Sequence, residues 1–251
     1  MKGKNGMIRM IRVFVLIGLL GVQMQAGEWN YRIRSPLLGT LGTLHFTKSE
    51  KGHSYRIEGE AESAGLVKAL WGNRKERYLS EGKIVKGKLH SRTFLIERKS
   101  RKKEEQIRYS IESAKHRIVK SRIRRKKGQA EEKSRKVLSY FSTDDLATLY
   151  FNLFPLRLAP GRELEAWAAG AEKIGGRVTV RIPTPKEAQE ERKRLGVGPE
   201  SSIVYLIAKE KLFGKAGRKI VAALDREGIV QKAYLIAVPV VGKIYLERRP
   251  R

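Results

Sequence analysis

WNYRIR, residues 29–34, is the stretch that decides the fold class, because its apolar and polar side chains alternate strictly. Trp29, Tyr31 and Ile33 fall on one side of an extended chain, and the asparagine and arginines between them fall on the other. A period of two is typical of a β-strand with one buried face and one solvated face. The stretch therefore predicts the first strand of a sheet whose polar face is basic.

Similar strand-like runs recur along the rest of the chain. They lie at residues 89–97, 107–111, 117–124, 178–182, 203–208, 220–224, 229–238 and 243–247. Short gaps with Gly, Lys or Glu favour hairpins over parallel crossovers. The last four runs are almost continuously apolar, which predicts strands covered on both faces. We expect a mainly β fold, an antiparallel β-barrel or a curved half-barrel, because closing or covering such a sheet protects its edges.

One amphipathic helix is predicted at residues 142–154, packed against this sheet. Apolar side chains recur there at helical spacing from Leu146 to Phe154. Ser142 followed three residues later by Asp145 indicates the start of the helix, and Pro155 indicates its end. We expect the helix to lie across an open end or a face of the sheet.

A short polar helical insertion is predicted at Pro185–Leu195. Thr184 and Glu187 have the spacing of a capping box, and Gly196 follows the last helical residue. The body of the helix is almost wholly charged. We therefore expect it to be solvated rather than part of the core.

Residues 1–26 have the layout of a secretory signal peptide. A basic head precedes an apolar stretch at residues 13–22, and Ala26 is the small residue before the expected cleavage site. That stretch is much shorter than the ~20 residues that a membrane-spanning helix needs. The sequence predicts a signal peptide at 1–26 and a single β-rich exported domain at 27–251, periplasmic and either soluble or peripheral to a membrane.

The composition is basic and contains no cysteine. Four positive charges of the formal +28 belong to the leader, which leaves +24 on the expected mature domain. The absence of cysteine excludes disulfides, a cysteine nucleophile and an acylated N-terminal cysteine. Abundant Lys, Glu and Arg with only three Asp is typical of heat-tolerant proteins.

The basic charge is concentrated at residues 97–136, which hold 17 Lys or Arg against 6 Glu. Such density suits an anionic partner. The candidate contact residues are Arg117, Lys120, Arg122, Arg124, Arg125, Lys126 and Lys127. Three interpretations stay open: a nucleic acid, an anionic envelope component such as a lipid headgroup or lipopolysaccharide, or a solvated strand face without a ligand. The solvated face is the simplest, and export argues against a nucleic-acid partner.

No catalytic, metal or cofactor motif is recognisable. The four histidines lack the spacing of a metal site, and there is no serine nucleophile elbow. We therefore expect no catalytic residues, no metal and no cofactor.

Four aromatic residues are candidates for a ligand cavity: Trp71, Tyr150, Phe151 and Trp167. Aromatic side chains often line apolar pockets at barrel mouths. The simpler interpretation is that they fill an ordinary core. A carrier needs a cavity open to solvent, whereas a scaffold needs a filled core and an exposed surface.

Several short segments together resemble the exported bacterial family known as domain of unknown function 3108. They are residues 31–44, with the repeat LGTLGTL, residues 64–71 before Tyr78, residues 145–150 before Pro160, and residues 238–244. The resemblance covers most of residues 29–247. It departs from the family pattern at residues 73–76, where an Asp is expected, and at the polar helix. It implies export and a β-rich, barrel-like domain with no established activity or catalytic residues.

We therefore expect a non-catalytic periplasmic protein that binds an amphipathic or anionic envelope ligand, such as a lipid or lipoprotein, or another envelope protein. The alternative is a structural scaffold of the cell envelope with no small-molecule ligand. A hydrolase or a nucleic-acid binder fits the sequence less well.

Overall fold

Strands dominate the computed structural model, which describes residues 27–153, 159–171, 175–208, 218–238 and 242–250. The predicted signal peptide at 1–26 lies outside the described residues, as do Phe154 and Pro155 at the expected end of the amphipathic helix. The side chain of Trp71 also lies outside what is described.

Within the described residues, fourteen strands form one antiparallel sheet. The strands are β1 Gly27–Ser35, β2 Gly39–Lys51, β3 Ser54–Ser63, β4 Lys75–Val85, β5 Lys88–Ser100, β6 Lys103–Glu112, β7 Arg117–Lys126, β8 Glu132–Val137, β9 Glu163–Trp167, β10 Arg177–Arg181, β11 Ser202–Ala208, β12 Arg218–Leu224, β13 Val230–Val238 and β14 Gly242–Arg248. The helices are α1 Gly65–Trp71, α2 Leu146–Leu153 and α3 Pro185–Leu195, with a 3₁₀ turn at Ser113–Lys115.

The strand order shows an open sheet built from two meanders. It runs β8-β7-β6-β5-β4-β3-β2-β1-β14-β13-β12-β11-β10-β9, so the first and last strands are central neighbours, and β8 and β9 are the edges. Tyr31 of β1 lies opposite Arg248 of β14. The prediction of a mainly antiparallel β fold is confirmed, in its open rather than its closed form.

The concave face of this sheet wraps around α2. Side chains alternate as predicted along β1, with Tyr31 and Ile33 buried in one core that includes both halves of the sheet. Phe151 of α2 stacks on Phe46 of β2, with ring centroids 6.1 Å apart. Tyr150 Oη donates a hydrogen bond to the carbonyl of Gly228 at 2.8 Å, on the other half of the sheet. The helix thus joins the two halves through the core.

Helix α2 differs from its prediction in start and in burial. It begins at Leu146, and the side chain of Asp145 accepts hydrogen bonds from the N–H groups of Ala147 and Thr148 at 2.7 and 3.0 Å. Ser142 lies before the helix and accepts the backbone N–H of Asp144 instead. Five consecutive helical residues are buried, because the sheet surrounds the helix rather than receiving one apolar stripe.

Residues 140–146 connect the two edges of the sheet. Tyr140 Oη donates to the carbonyl of Ala168 at 3.1 Å, and Ser142 Oγ donates to the carbonyl of Trp167 at 2.5 Å. The connection after β8 is therefore tied to the end of β9, although the two strands do not pair.

Helix α3 has the predicted bounds but is not a solvated insertion. Thr184 and Glu187 form the expected capping box, and Gly196 adopts φ 60°, the left-handed conformation that ends a helix. The buried side chains of Ala188 and Leu195 pack on the outer face of β11–β13. This packing explains why the last strands are apolar on both faces, because α3 covers the second one.

A buried carboxylate holds α3 on the sheet. Tyr234 Oη of β13 donates to Glu191 at 2.5 Å, and Arg194 Nη1 donates to the same carboxylate at 3.0 Å. The charged sequence of α3 therefore contains one acid that points into the molecule.

No helix among the described residues is long and apolar enough to span a bilayer.

Candidate functional site

The last three strands at one edge of the sheet, β6–β8, hold the basic stretch. Ile118 of β7 is buried in the core, which fixes the inner face of that strand. Strand side chains alternate between faces, so Lys120, Arg122, Arg124 and Lys126 share the face of Ile118. Residues two apart in a strand lie roughly 7 Å apart. We call these four residues the cationic ladder.

The other three candidate residues do not join the ladder. Arg117 and Arg125 point to the outer face, where Arg117 Nε pairs with Glu112 at 2.7 Å and Arg125 pairs with Glu131. Lys127 is exposed in the turn after β7. The sequence predicted one surface for the seven cations, whereas the strand geometry divides them between two faces and a turn.

Glutamates neutralise part of the ladder. Arg122 Nε donates to Glu105 of β6 at 2.9 Å, and Arg124 Nη1 and Lys126 Nζ donate to Glu132 of β8 at 3.1 and 3.3 Å. The ladder and its two acids still leave an excess of positive charge. Exposed Lys136 of β8, whose side chain points to the same face, adds to that excess.

Sequence reasoning missed Glu105, which is only 4 % exposed. Arg98 Nη1 and Lys103 Nζ donate to it at 3.2 Å each, in addition to Arg122. Burial alone would raise the pKa of Glu105, but the hydrogen bond from Arg122 and the charges of Arg98 and Lys103 outweigh it and hold the pKa at about 2. Its position two residues before Ile107, on the apolar face of β6, is the signal that could have revealed it.

The outer face of β1–β7 forms a broad polar groove of about 900 Å³. Its floor includes one row of residues in register across β1–β6: Asn30, His45, Glu60, Arg77, Glu97 and Gln106. Arg77 Nη1 and Gln106 Nε2 both donate to Glu97, at 3.4 and 3.0 Å. These groups pair with one another, so the groove presents no single sign of charge.

The described cavity candidates lie in two different environments. Tyr150 and Phe151 are buried in the core around α2. Trp167 is 42 % exposed on β9, between the ring of Tyr140 at 5.8 Å and the guanidinium of Arg177 at 5.5 Å. The structure therefore does not bring these three aromatic side chains together around one cavity.

Asp145 is a fully buried acid, with 0 % exposure, and its side chain accepts four hydrogen bonds. Besides capping α2, its carboxylate accepts hydrogen bonds from Ser80 Oγ of β4 at 2.5 Å and from Ser91 Oγ of β5 at 2.6 Å. Burial raises its pKa, and these hydrogen bonds oppose that rise. All of these contacts anchor the inner helix to the sheet, as expected for a helix-start residue.

The neighbouring Asp144 predicts a distinct pH dependence of stability. Burial raises its pKa from 3.8 to about 6, against the hydrogen bond from Asn152 Nδ2. A carboxyl group with a raised folded-state pKa contributes stability below its unfolded pKa and loses it as the pH rises through the folded value. We expect titration of this group to lower the unfolding free energy by about 2 kcal/mol between pH 4 and pH 7.

Asp144→Asn keeps the acceptor for Asn152 and removes the titration. Denaturant unfolding at pH 4.5 and pH 7 should show a clearly smaller difference for the variant than for the native chain. Equal differences for the two proteins would contradict this assignment of the pH dependence.

Among the described ranges, no group of three or more His, Asp or Glu side chains is arranged to hold a metal ion.

Comparison with known proteins supports the fold. No family model matches the chain, and no curated protein matches it. Among solved structures, the chain is similar to the beta-barrel-like protein of domain of unknown function DUF1849 from Brucella abortus, with a TM-score of 0.53 and 11 % sequence identity over 91 % of this chain and 97 % of that chain. At this identity the likeness shows a barrel-like fold alone, and no match supports the 3108 family specifically.

Proposed function

We propose that the chain is an exported, non-catalytic domain that binds an anionic component of the cell envelope through β6–β8. The observation that carries this proposal is the cationic ladder, four basic side chains on one face, of which Arg122 pairs with Glu105, and Arg124 and Lys126 pair with Glu132. The leader-like residues 1–26 and the resemblance to the 3108 family support export to the periplasm.

Other parts of the molecule support binding less well. The polar groove is internally paired, and Asp145 already accepts hydrogen bonds from the strands and helix around it. Tyr150 and Phe151, two of the proposed cavity residues, are buried in the core around α2, which favours an interaction surface over an internal lipid cavity. A scaffold of the envelope would use the same surface to hold its partner.

The lysines of the ladder face and of the adjoining turn provide the test. The variant replaces four of them with Gln: Lys120, Lys126 and Lys136 on the inner face, and Lys127 in the turn. Arg122 is kept because it neutralises the buried Glu105. Each basic side chain near an anionic membrane surface contributes about 1 kcal/mol. We expect affinity for an anionic probe to fall by about 100-fold or more at low salt.

Binding is measured on two anionic probes, phosphatidylglycerol vesicles and poly-glutamate, at low and at high salt. The matched control replaces four exposed lysines elsewhere, Lys51, Lys186, Lys193 and Lys243, with Gln. The two variants have the same net charge, so only a local surface distinguishes them. If both weaken binding equally, or if neither probe binds the native chain, the proposed surface is wrong.

A further inference from the structure

Strand β8 is an edge with one open side. All six of its residues, Glu132–Val137, are exposed, and within the described part of the chain the strand pairs only with β7. An edge strand offers backbone N–H and C=O groups to another extended chain.

The backbone hydrogen bonds between β8 and β7 show which residues of β8 direct their own backbone groups toward the open edge. The N–H of Leu138 donates to the carbonyl of Ile118 at 2.9 Å, directly after the pair Val119 and Val137. Bonded and non-bonded pairs alternate along an antiparallel ladder. Lys133, Arg135 and Val137 therefore direct their backbone groups away from β7.

The basic side chains of β8 indicate which kind of extended chain can pair with this edge. Lys133 and Arg135 lie on the outer face of the sheet, and Lys136 lies beside the cationic ladder on the inner face. Pairing with the same strand of a second copy would place like charges close together, which is destabilising. The alternate side chains of an acidic extended segment would instead meet cations on both faces.

We propose that β8 binds an extended, acidic segment of a partner protein as an added strand. This inference rests on the proposed function and deepens it by naming the partner class. Main-chain hydrogen bonds to residues 133–137 supply the pairing, and the cations on both faces select acidic side chains.

The test separates backbone pairing from charge. A fluorescent Glu-rich peptide of about ten residues, with Glu on both faces of the extended chain, spans an edge strand of this length. Arg135→Pro and Arg135→Ala lose the same charge, but only the proline loses an outward N–H, and neither breaks a bond to β7. By anisotropy, we expect the alanine variant to bind a few-fold more weakly than the native chain, and the proline variant at least tenfold more weakly than the alanine variant.

A second measurement leaves the protein unchanged. Two versions of the peptide have N-methyl groups on alternate residues, on one backbone edge or on the other. Strand addition predicts that methylation of one edge abolishes binding and methylation of the other does not. Circular dichroism of the Arg135 variants verifies that the sheet is intact.

Each remaining outcome overturns the inference in a different way. Equal binding by both Arg135 variants and both methylated peptides means attraction by charge alone, and the proposed function survives. Vesicle binding without peptide binding identifies a lipid as the partner. Self-association that Arg135→Pro abolishes identifies a second copy as the occupant. Failure of every anionic probe overturns the proposed function as well.

Discussion

Replacing Asp145 with alanine should lower the unfolding free energy by about 3 kcal/mol or prevent folding. The substitution removes the cap of α2, worth about 1 kcal/mol. It also leaves the buried hydroxyls of Ser80 and Ser91 without their acceptor, at about 1–3 kcal/mol each. The pKa of Asp145 is raised by burial, so the cost of burying its charge offsets part of the stability that its hydrogen bonds contribute.

Asp145→Asn is the matched control. The amide oxygen can still cap α2, and the amide N–H₂ can donate to a serine hydroxyl, so the loss should be less than half that of alanine. Denaturant unfolding, followed by circular dichroism, measures both variants. A loss below about 1 kcal/mol for alanine would mean that the anchor is dispensable.

Replacing Glu105 with alanine should cost about 3 kcal/mol, because it leaves the buried Arg98 with one partner fewer and removes the acceptor of Arg122 and Lys103. Breaking one side of a buried ion pair leaves an uncompensated charge. The adjacent Glu104 is the control, since its pair with Lys99 at 2.7 Å is solvent-exposed and its removal should leave the unfolding free energy almost unchanged.

Unfolding at acid pH and binding of anionic probes both test the role of Glu105. Its pKa is lowered to about 2, so its stabilisation is present above the ordinary pKa of 4.5 and is lost as the pH falls through about 2. Glu105→Gln should remove that acid sensitivity. The same variant makes the ladder more positive, so anionic probes should bind it more tightly while it unfolds more easily. Weaker binding by a folded Glu105→Gln would contradict the proposed surface.

Local pattern was sufficient for several elements. Alternation predicted β1, strand-like runs predicted β5–β7 and β10–β14, and the capping residues of α3 predicted its ends. Strand β8 was missed because EKSRKV has almost no apolar residues, and its pairing with β7 defines it. The excess of basic charge was visible in the sequence, but its division between two faces was not.

The periodicity of the sequence specifies an antiparallel β fold, an amphipathic helix, a capped polar helix and a basic stretch. Periodicity depends on residues within a few positions of each other, so it can be read locally. Long-range packing, by contrast, leaves the sheet open, surrounds α2 with strands and brings Glu105 to the ladder. Asp145 meets Ser80 and Ser91 from 65 and 54 residues away. Such contacts depend on how the sheet curves, because curvature selects which distant side chains share one buried space.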